Sequence, residues 1–125
     1  MKRNFIGYGK EKPKILWPQE NKIAVSFVVN IEEGAELSIS SGDSQNEHVY
    51  ENNKIKILDI PDLRMESHFE YGLRSGIWRI FDVFDKYNIK ATFSCCSFAL
   101  ENSPWLVDEL LTRNHEISAH GDRNS

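Results

Sequence analysis

The sequence from Ile23 to Gly34, IAVSFVVNIEEG, decides the fold. It opens with an apolar run, IAVSFVV, in which Ser26 alone is polar, and it ends in two adjacent carboxylates and a glycine. A buried helix segment could be equally apolar, but the run is short, rich in β-branched residues and closed by Gly34, which favours a strand. Such a strand is typical of a parallel sheet with helices on both faces, so we expect both of its faces to be buried. Glu32 and Glu33 then lie at its carboxyl end, where α/β proteins place ligands and chemistry.

A long helix and a second strand are predicted downstream. Glu70–Tyr87 is the clearest helix, because its apolar residues recur at the i, i+3, i+4 spacing of one buried stripe. Asn88 suits a left-handed helix end, and Ile89–Ser94 is then predicted as the second strand. The stripe consists of Ile77, Ile80, Phe81, Phe84 and Tyr87.

A second helix and a third strand complete the pattern. Ser103 offers a capping hydroxyl and Pro104 follows at the first helical position, so a helix is predicted to begin there. Asn114 ends it, and His115–His120 is predicted as the third strand. The apolar face of this helix consists of Trp105, Leu106, Leu110 and Leu111.

The order of elements is strand, long loop, helix, strand, helix, strand, which requires a parallel sheet with right-handed helical crossovers. The loop, Ala35–Asp62, is polar and turn-rich, with a weak strand pattern at Lys54–Ile60, and such long connections are usually functional or mobile. Three strands cannot close a barrel, and a barrel enzyme usually needs about 250 residues. The sequence therefore predicts either a small open α/β sheet or, as we prefer, the front portion of a larger protein.

Composition and charge bear on location and partners. The net charge is −4, whereas nucleic acid requires a clustered basic face, so no nucleic-acid partner is expected. No apolar run approaches the ~20 residues of a membrane span, and the first twenty residues lack the apolar core of a secretory signal, so a cytoplasmic protein without a membrane partner is expected.

Pro13 and Pro18 preclude a regular helix near the start, which predicts an extended arm at 1–22 before a partial α/β domain at 23–125. The adjacent Cys95 and Cys96 are expected to be small buried residues, and not a redox or metal pair.

The two acids could support two kinds of chemistry. Successive strand residues point to opposite faces, so Glu32 and Glu33 can act together only where the chain has relaxed into a loop, which Gly34 permits. Two carboxylates held close cannot both ionise easily, and the one that keeps its proton can act as a general acid or base near neutral pH. Alternatively, one binds a metal ion while the other takes a proton from the metal-bound water. The alternative without function is two solvated loop acids.

Among the histidines, His120 is the candidate for function. It ends the third strand, level with the two acids if the strands are in ordinary register, so it could be a ligand or an acid–base group, or else a hydrogen-bonded structural histidine. His115 lies five residues earlier, on the opposite face and at the opposite end, and is expected to be structural. His48 and His68 are expected on the surface.

Five segments occur together in one order: GYGKEKPKILWP at 7–18, IAVSFVVNIEEGAE at 23–36, SGDSQNE at 41–47, MESHFEYGLRSGIWR at 65–79 and NHEISAHGDR at 114–123. In this combination the chain resembles the polysaccharide deacetylase (NodB-homology) superfamily, and most of all its allantoinase-like branch in purine catabolism. EEG alone would be a weak signal, whereas NIEEGAE together with EYGLRSGIWR is a specific one.

The resemblance implies a distorted (β/α) barrel and a hydrolase acting on carbon–nitrogen bonds other than peptide bonds. It implies Glu32 as general base, with Glu33 and His120 as ligands of a divalent metal such as zinc. The family's second histidine falls at Asn124, which leaves the ligand set incomplete, because catalytic zinc uses three protein ligands; some members of the branch are thought to work without metal. Candidate substrate-binding residues from the shared motifs are Glu36, Arg74 and Trp78, with Asp43 and Glu66 as further pocket residues.

The implied substrate is a small amide or ureide, or an N-acetylated sugar of carbohydrate metabolism. A different class of function remains open beside the hydrolase: a catalytically inactive fragment or an oligomerisation module. Its open sheet edge would pair with another copy, since exposed edges invite strand addition. A homo-oligomer is therefore expected.

Overall fold

The computed structural model describes residues 2–47 and 60–123. Within them lie the strands β1 (Val28–Ile31), β2 (Thr92–Cys95) and β3 (Glu116–Ala119). The helices are α1 (Leu63–Tyr71), α2 (Ile77–Tyr87), α3 (Ser97–Asn102) and α4 (Trp105–Thr112), and a π-helical segment, Gly72–Gly76, joins α1 to α2. The described residues do not include His48, Asn124 or residues 54–59, which form most of the weak strand predicted at Lys54–Ile60. No helix in the described ranges has the length and apolarity to cross a membrane.

The strands form one parallel sheet in the order β1-β2-β3. Ile31 is the register partner of Cys95, and Cys95 is the partner of Ala119, so the three carboxyl ends are level. Helices α1 and α2 connect β1 to β2, while α3 and α4 connect β2 to β3. The predicted parallel sheet with helical crossovers is confirmed.

The first strand is shorter and more exposed than predicted. It begins at Val28, and the preceding Ile23–Phe27 segment contains no strand. Ile23, Val25 and Val28 are 76%, 70% and 60% exposed. In the described structure β1 pairs with β2 along one edge, and helices cover one face of the sheet. The prediction of a strand that starts at Ile23 and is buried on both faces is therefore wrong.

The core lies on the helix-covered face of the sheet. Ile31 of β1 and Phe93 and Cys95 of β2 are at most 3% exposed, and they belong to one cluster with Phe81 of α2 and Leu106 of α4. The intervening strand positions form the other face, which we call the open face: Val28, Asn30, Thr92, Ser94, Glu116 and Ser118. Side chains alternate between the two faces along a strand. A residue two positions beyond the last open-face residue of a strand is therefore directed to the open face as well.

The helix predicted at Glu70–Tyr87 is part of a longer helical stretch that begins at Leu63. The Asp62 side chain accepts a hydrogen bond from the Met65 N–H and caps α1. This aspartate is the sequence signal for the earlier start of the helix. Most of the apolar stripe is buried or partly buried, but Tyr87 at the final helical residue is 64% exposed. Asn88 follows in the left-handed conformation (φ 50°, ψ 44°), which confirms the predicted helix end.

Helix α4 differs from its prediction at its start, whereas Asn114 follows its end at φ 56°, as predicted. Pro104, and not Ser103, is the N-cap residue, so the helix begins one residue later than predicted. The Ser103 carbonyl accepts the Leu106 N–H at 3.0 Å. Leu106 and Leu110 are fully buried as predicted, whereas Leu111 is 58% exposed, since it lies one residue round the helix from Leu110. Helix α3 was not predicted, because six residues are too few to show a helical period.

Aromatic rings fill the centre of the core. The Phe93 ring lies 4.9 Å from the His115 ring and 5.8 Å from the Phe81 ring, measured between centroids. His115 is buried, its Nδ1 accepts the Ala91 N–H at 3.3 Å, and burial lowers its pKa, so the imidazole is neutral. This agrees with a structural role for His115. Cys95 and Cys96 are free and buried as predicted.

Candidate active site

The carboxyl ends of the sheet bring Glu32 and His120 together. Glu32 directly follows β1 and His120 directly follows β3. By the alternation of side chains along each strand, both residues belong to the open face. Glu32 Oε1 lies 3.3 Å from His120 Nε2, and the two side chains are 31% and 32% exposed. The structure thus places His120 level with the first of the two acids, as predicted.

Ser94 orients the imidazole from the central strand. It lies on the open face of β2, and its Oγ is 2.9 Å from His120 Nδ1. A serine hydroxyl can donate to an imidazole nitrogen, and the ring then carries its proton on the other nitrogen. We assign that tautomer, in which Nε2–H donates to Glu32. Ser94, His120 and Glu32 therefore form a continuous row of polar contacts.

Glu33 is directed to the other side of the sheet. By the alternation of side chains it belongs to the helix-covered face, like Val29 and Ile31. Its carboxylate lies against Gly72 in the π-helical segment, and a Cβ atom at position 72 would overlap with it. Its Oε2 accepts the Glu32 N–H at 3.3 Å. The structure therefore brings Glu32, and not Glu33, to the imidazole.

Backbone hydrogen bonds hold the segment after β3 against the start of α3. The His120 N–H donates to the Cys95 carbonyl at 2.9 Å, and the Ser97 and Phe98 N–H groups donate to the carbonyls of the two residues after His120. The Ser97 hydroxyl also donates to Asp122 Oδ1 at 2.5 Å. These contacts fix the backbone that carries the imidazole.

The donor set does not fit a zinc site. Catalytic zinc takes three protein ligands, and within residues 2–47 and 60–123 no group of three His, Cys, Asp or Glu side chains is placed to hold an ion. Burial, together with the nearby carboxylates of Glu32 and Asp122, raises the pKa of the Cys96 thiol, which disfavours a thiolate ligand. A metal held by Glu33 and His120 stays a prediction from the resemblance.

The other predicted site residues make local contacts. Glu36 Oε2 accepts the Gly34 N–H at 2.6 Å and so closes the turn after β1. Arg74 forms an exposed ion pair with Glu70 on the helix surface. Trp78 stacks on Trp105 with 5.2 Å between ring centroids. None of these contacts joins Glu36, Arg74 or Trp78 to the Glu32–His120 pair, and their substrate-binding role stays a prediction.

Two of the predicted pocket residues fix the loop that follows β1. Glu66 of α1 accepts hydrogen bonds from the hydroxyls of Ser38 and Ser40, at 2.8 and 2.9 Å. Asp43 accepts two hydrogen bonds from Arg123, each 2.7 Å long. Ser94 and Arg123 were not predicted as site residues. A polar residue in the short apolar strand before Cys95 was the available signal for Ser94.

The fold and the site define an α/β protein with a carboxylate–imidazole pair at the carboxyl edge of a parallel sheet. Residues 62–124, about half of the chain, match the family model of polysaccharide deacetylase. The chain belongs to the polysaccharide deacetylase family, which confirms the resemblance seen in the sequence.

Three relatives support this assignment. A Schizosaccharomyces pombe protein whose name assigns it to the polysaccharide deacetylases is 37% identical over 112 residues, which are 86% of this chain and 34% of that protein. The crystal structure of Puue allantoinase superposes with a TM-score of 0.79 at 34% identity, covering 98% of this chain and 41% of the other. The structure of a probable polysaccharide deacetylase from Pseudomonas aeruginosa PAO1 gives 0.83 at 34% identity, covering 98% and 42%. The chain thus spans about a third of the curated relative, and the predicted fold class, part of a barrel of the deacetylase type, is confirmed.

Proposed function

We propose that Glu32 and His120 form the hydrolytic centre of an enzyme that cleaves carbon–nitrogen bonds other than peptide bonds. The observation that carries this proposal is the 3.3 Å contact between Glu32 Oε1 and His120 Nε2 at the carboxyl edge of the sheet. Both side chains are partly exposed, so water and substrate can reach them. Membership of the deacetylase family supports the class of reaction.

Glu32 is the general base in this proposal. His120 directs Nε2 to Glu32 and Nδ1 to Ser94, so both of its ring nitrogens are engaged. The Glu32 side chain remains 31% exposed beside His120, so water can reach its carboxylate. His120 therefore holds the carboxylate in place, and Glu32 takes the proton.

The proposed hydrolysis has two proton transfers. Water attacks the carbonyl carbon, Glu32 takes the water proton, and the carbonyl electron pair moves to the oxygen. When the tetrahedral intermediate collapses, the C–N bond breaks and the proton passes from Glu32 to the leaving nitrogen. The products are a carboxylic acid and an amine or urea nitrogen, and no further reactant is consumed.

Two substrate classes suit this reaction, cyclic ureides and N-acetylated sugars, and the solved relatives carry both an allantoinase and a polysaccharide deacetylase name. We favour a small ureide. Extended sugar chains are commonly bound by exposed aromatic rings. Trp78 and Trp105 stack on each other on helices that cover the other face of the sheet, whereas Ser94 and His120 belong to the open face. The stacked rings therefore do not lie beside the proposed hydrolytic centre.

The test is an assay of the full protein with allantoin as the ureide and an N-acetylglucosamine oligomer as the sugar. The quantity measured is the acid product released from each compound. Hydrolysis of allantoin is expected. A folded protein that hydrolyses neither compound contradicts the proposal, and an oligomer by light scattering would then favour the assembly module. Activity lost on chelation and restored by zinc would contradict a mechanism carried by Glu32 and His120 alone.

Ser94→Ala is expected to lower kcat about 10-fold with little change in KM, because the imidazole loses the partner that fixes its tautomer and orientation. Steady-state kinetics measure both constants. Ser118→Ala is the matched control, since Ser118 lies in the same row of the open face on the neighbouring strand. Its kcat should stay close to that of the unmodified protein, and an equal loss in the two variants would argue against the orienting role.

A further inference from the structure

We propose that the ion pair between Asp43 and Arg123 is a positioning device that sets the distance between Glu32 and His120; this inference rests on the function proposed above. Arg123 Nη1 donates to both carboxylate oxygens of Asp43 at 2.7 Å. The two side chains are 19% and 25% exposed, so the pair is shielded from much of the solvent. Ion pairs of this kind are stronger than exposed ones of the same length.

The pair joins the same two segments that carry the hydrolytic residues. Glu32 and Asp43 belong to the loop after β1, and His120 and Arg123 belong to the segment after β3. These segments are therefore linked twice, once by the hydrolytic pair and once by the Asp43–Arg123 pair. Gly121, at φ 108°, turns the chain between His120 and Arg123 in a conformation that side-chain-bearing residues rarely adopt.

Each partner of the ion pair is held by a further contact. The Arg123 guanidinium lies over the Phe98 ring, 4.2 Å from its centroid, which favours a cation–π contact. Asp43 Oδ2 also accepts the Ser38 N–H at 2.9 Å. The Arg123 guanidinium, with the hydrogen bond from Ser38, lowers the pKa of Asp43 below its ordinary value, which favours the carboxylate form. The pair therefore has a fixed geometry from both sides.

The loop is anchored independently at α1. The hydroxyls of Ser38 and Ser40 bind Glu66, and the Ile39 N–H donates to Asn46 Oδ1 at 3.1 Å within the loop. Loss of the Asp43–Arg123 pair should therefore leave the loop folded and change its position relative to His120. A change of about 1 Å in such a contact can cost up to about 100-fold in rate.

Asp43→Asn and Arg123→Gln in the full protein are each expected to lower kcat about 10-fold while KM changes little. The double variant should be no worse than either single variant, because both remove the same interaction. Arg123→Lys keeps the charge but not the planar guanidinium that lies over Phe98, and should fall between Arg123→Gln and the unmodified protein. Asp85→Asn, which removes the contact of Asp85 with Arg113 at 3.0 Å, is the control and should leave kcat unchanged.

Amide hydrogen exchange of residues 120–123 gives a readout that is independent of turnover. It should become faster in Asp43→Asn and remain unchanged in Asp85→Asn. Unchanged kcat and unchanged exchange in Asp43→Asn, or losses that add in the double variant, would overturn the positioning role. An active Glu32→Gln protein would instead overturn the proposed function, and the exchange measurement would still decide whether the ion pair holds the segment.

Discussion

Glu32→Gln is expected to lower kcat for the hydrolysed substrate by about 10²–10⁴-fold, the usual contribution of a general base. Glutamine keeps the size of the side chain and an oxygen that can accept the His120 Nε2–H, so the contact that is 3.3 Å long in the structure can persist. The amide cannot take a proton from water. KM should change little and the protein should remain folded, which steady-state kinetics and a thermal unfolding curve will show.

Glu33→Gln is the matched control for this prediction. The same substitution is made at the next residue, but the Glu33 carboxylate lies against Gly72 and not beside His120. Its kcat should remain close to that of the unmodified protein, provided that the reaction does not use a metal held by Glu33. If Glu33→Gln loses as much activity as Glu32→Gln, the assignment of the base to Glu32 is contradicted. A loss confined to Glu33→Gln would transfer the role to Glu33.

The sequence was sufficient to place Glu32 near His120, because a parallel sheet puts all its carboxyl ends at one edge. The same reasoning could not decide which acid faces the imidazole, since that depends on which set of alternating strand residues faces the core. Because Ile31 faces the core, the alternation directs Glu32 to the open face and Glu33 to the other face, against Gly72 of the π-helical segment. A slip of one residue in the register of β1 would have reversed the two roles.

The features that were missed depend on contacts distant in sequence. Ile23–Phe27 has the composition of a buried strand, yet burial requires elements to cover it, and composition does not contain them. Asp43 and Arg123 lie 80 residues apart, and Ser94 and His120 lie 26 apart. No local pattern predicts these partners. Once the register is known, however, Ser94 and His120 share a face of neighbouring strands, and their contact follows.

Phe93→Ala is expected to reduce the free energy of unfolding by about 3–5 kcal/mol, the usual cost of removing a buried phenylalanine ring. Phe93 is 0% exposed on the central strand, and its ring contacts Phe81, Phe84 and His115. The loss is large beside a typical total stability of about 5–15 kcal/mol. Denaturant unfolding of the full protein, monitored by tryptophan fluorescence, measures it as a lower midpoint.

Phe27→Ala separates this effect from the general loss of an aromatic contact. Phe27 also meets Phe84, with 5.8 Å between ring centroids, but it is 43% exposed, so less apolar area returns to water when its ring is removed. A cost of about 1 kcal/mol is expected there. Equal losses in the two variants would contradict a core centred on Phe93. A clear difference would show that the buried Phe93 ring contributes more to the free energy of unfolding than the partly exposed Phe27 ring. Phe93 directly precedes Ser94, the residue that orients the imidazole of His120.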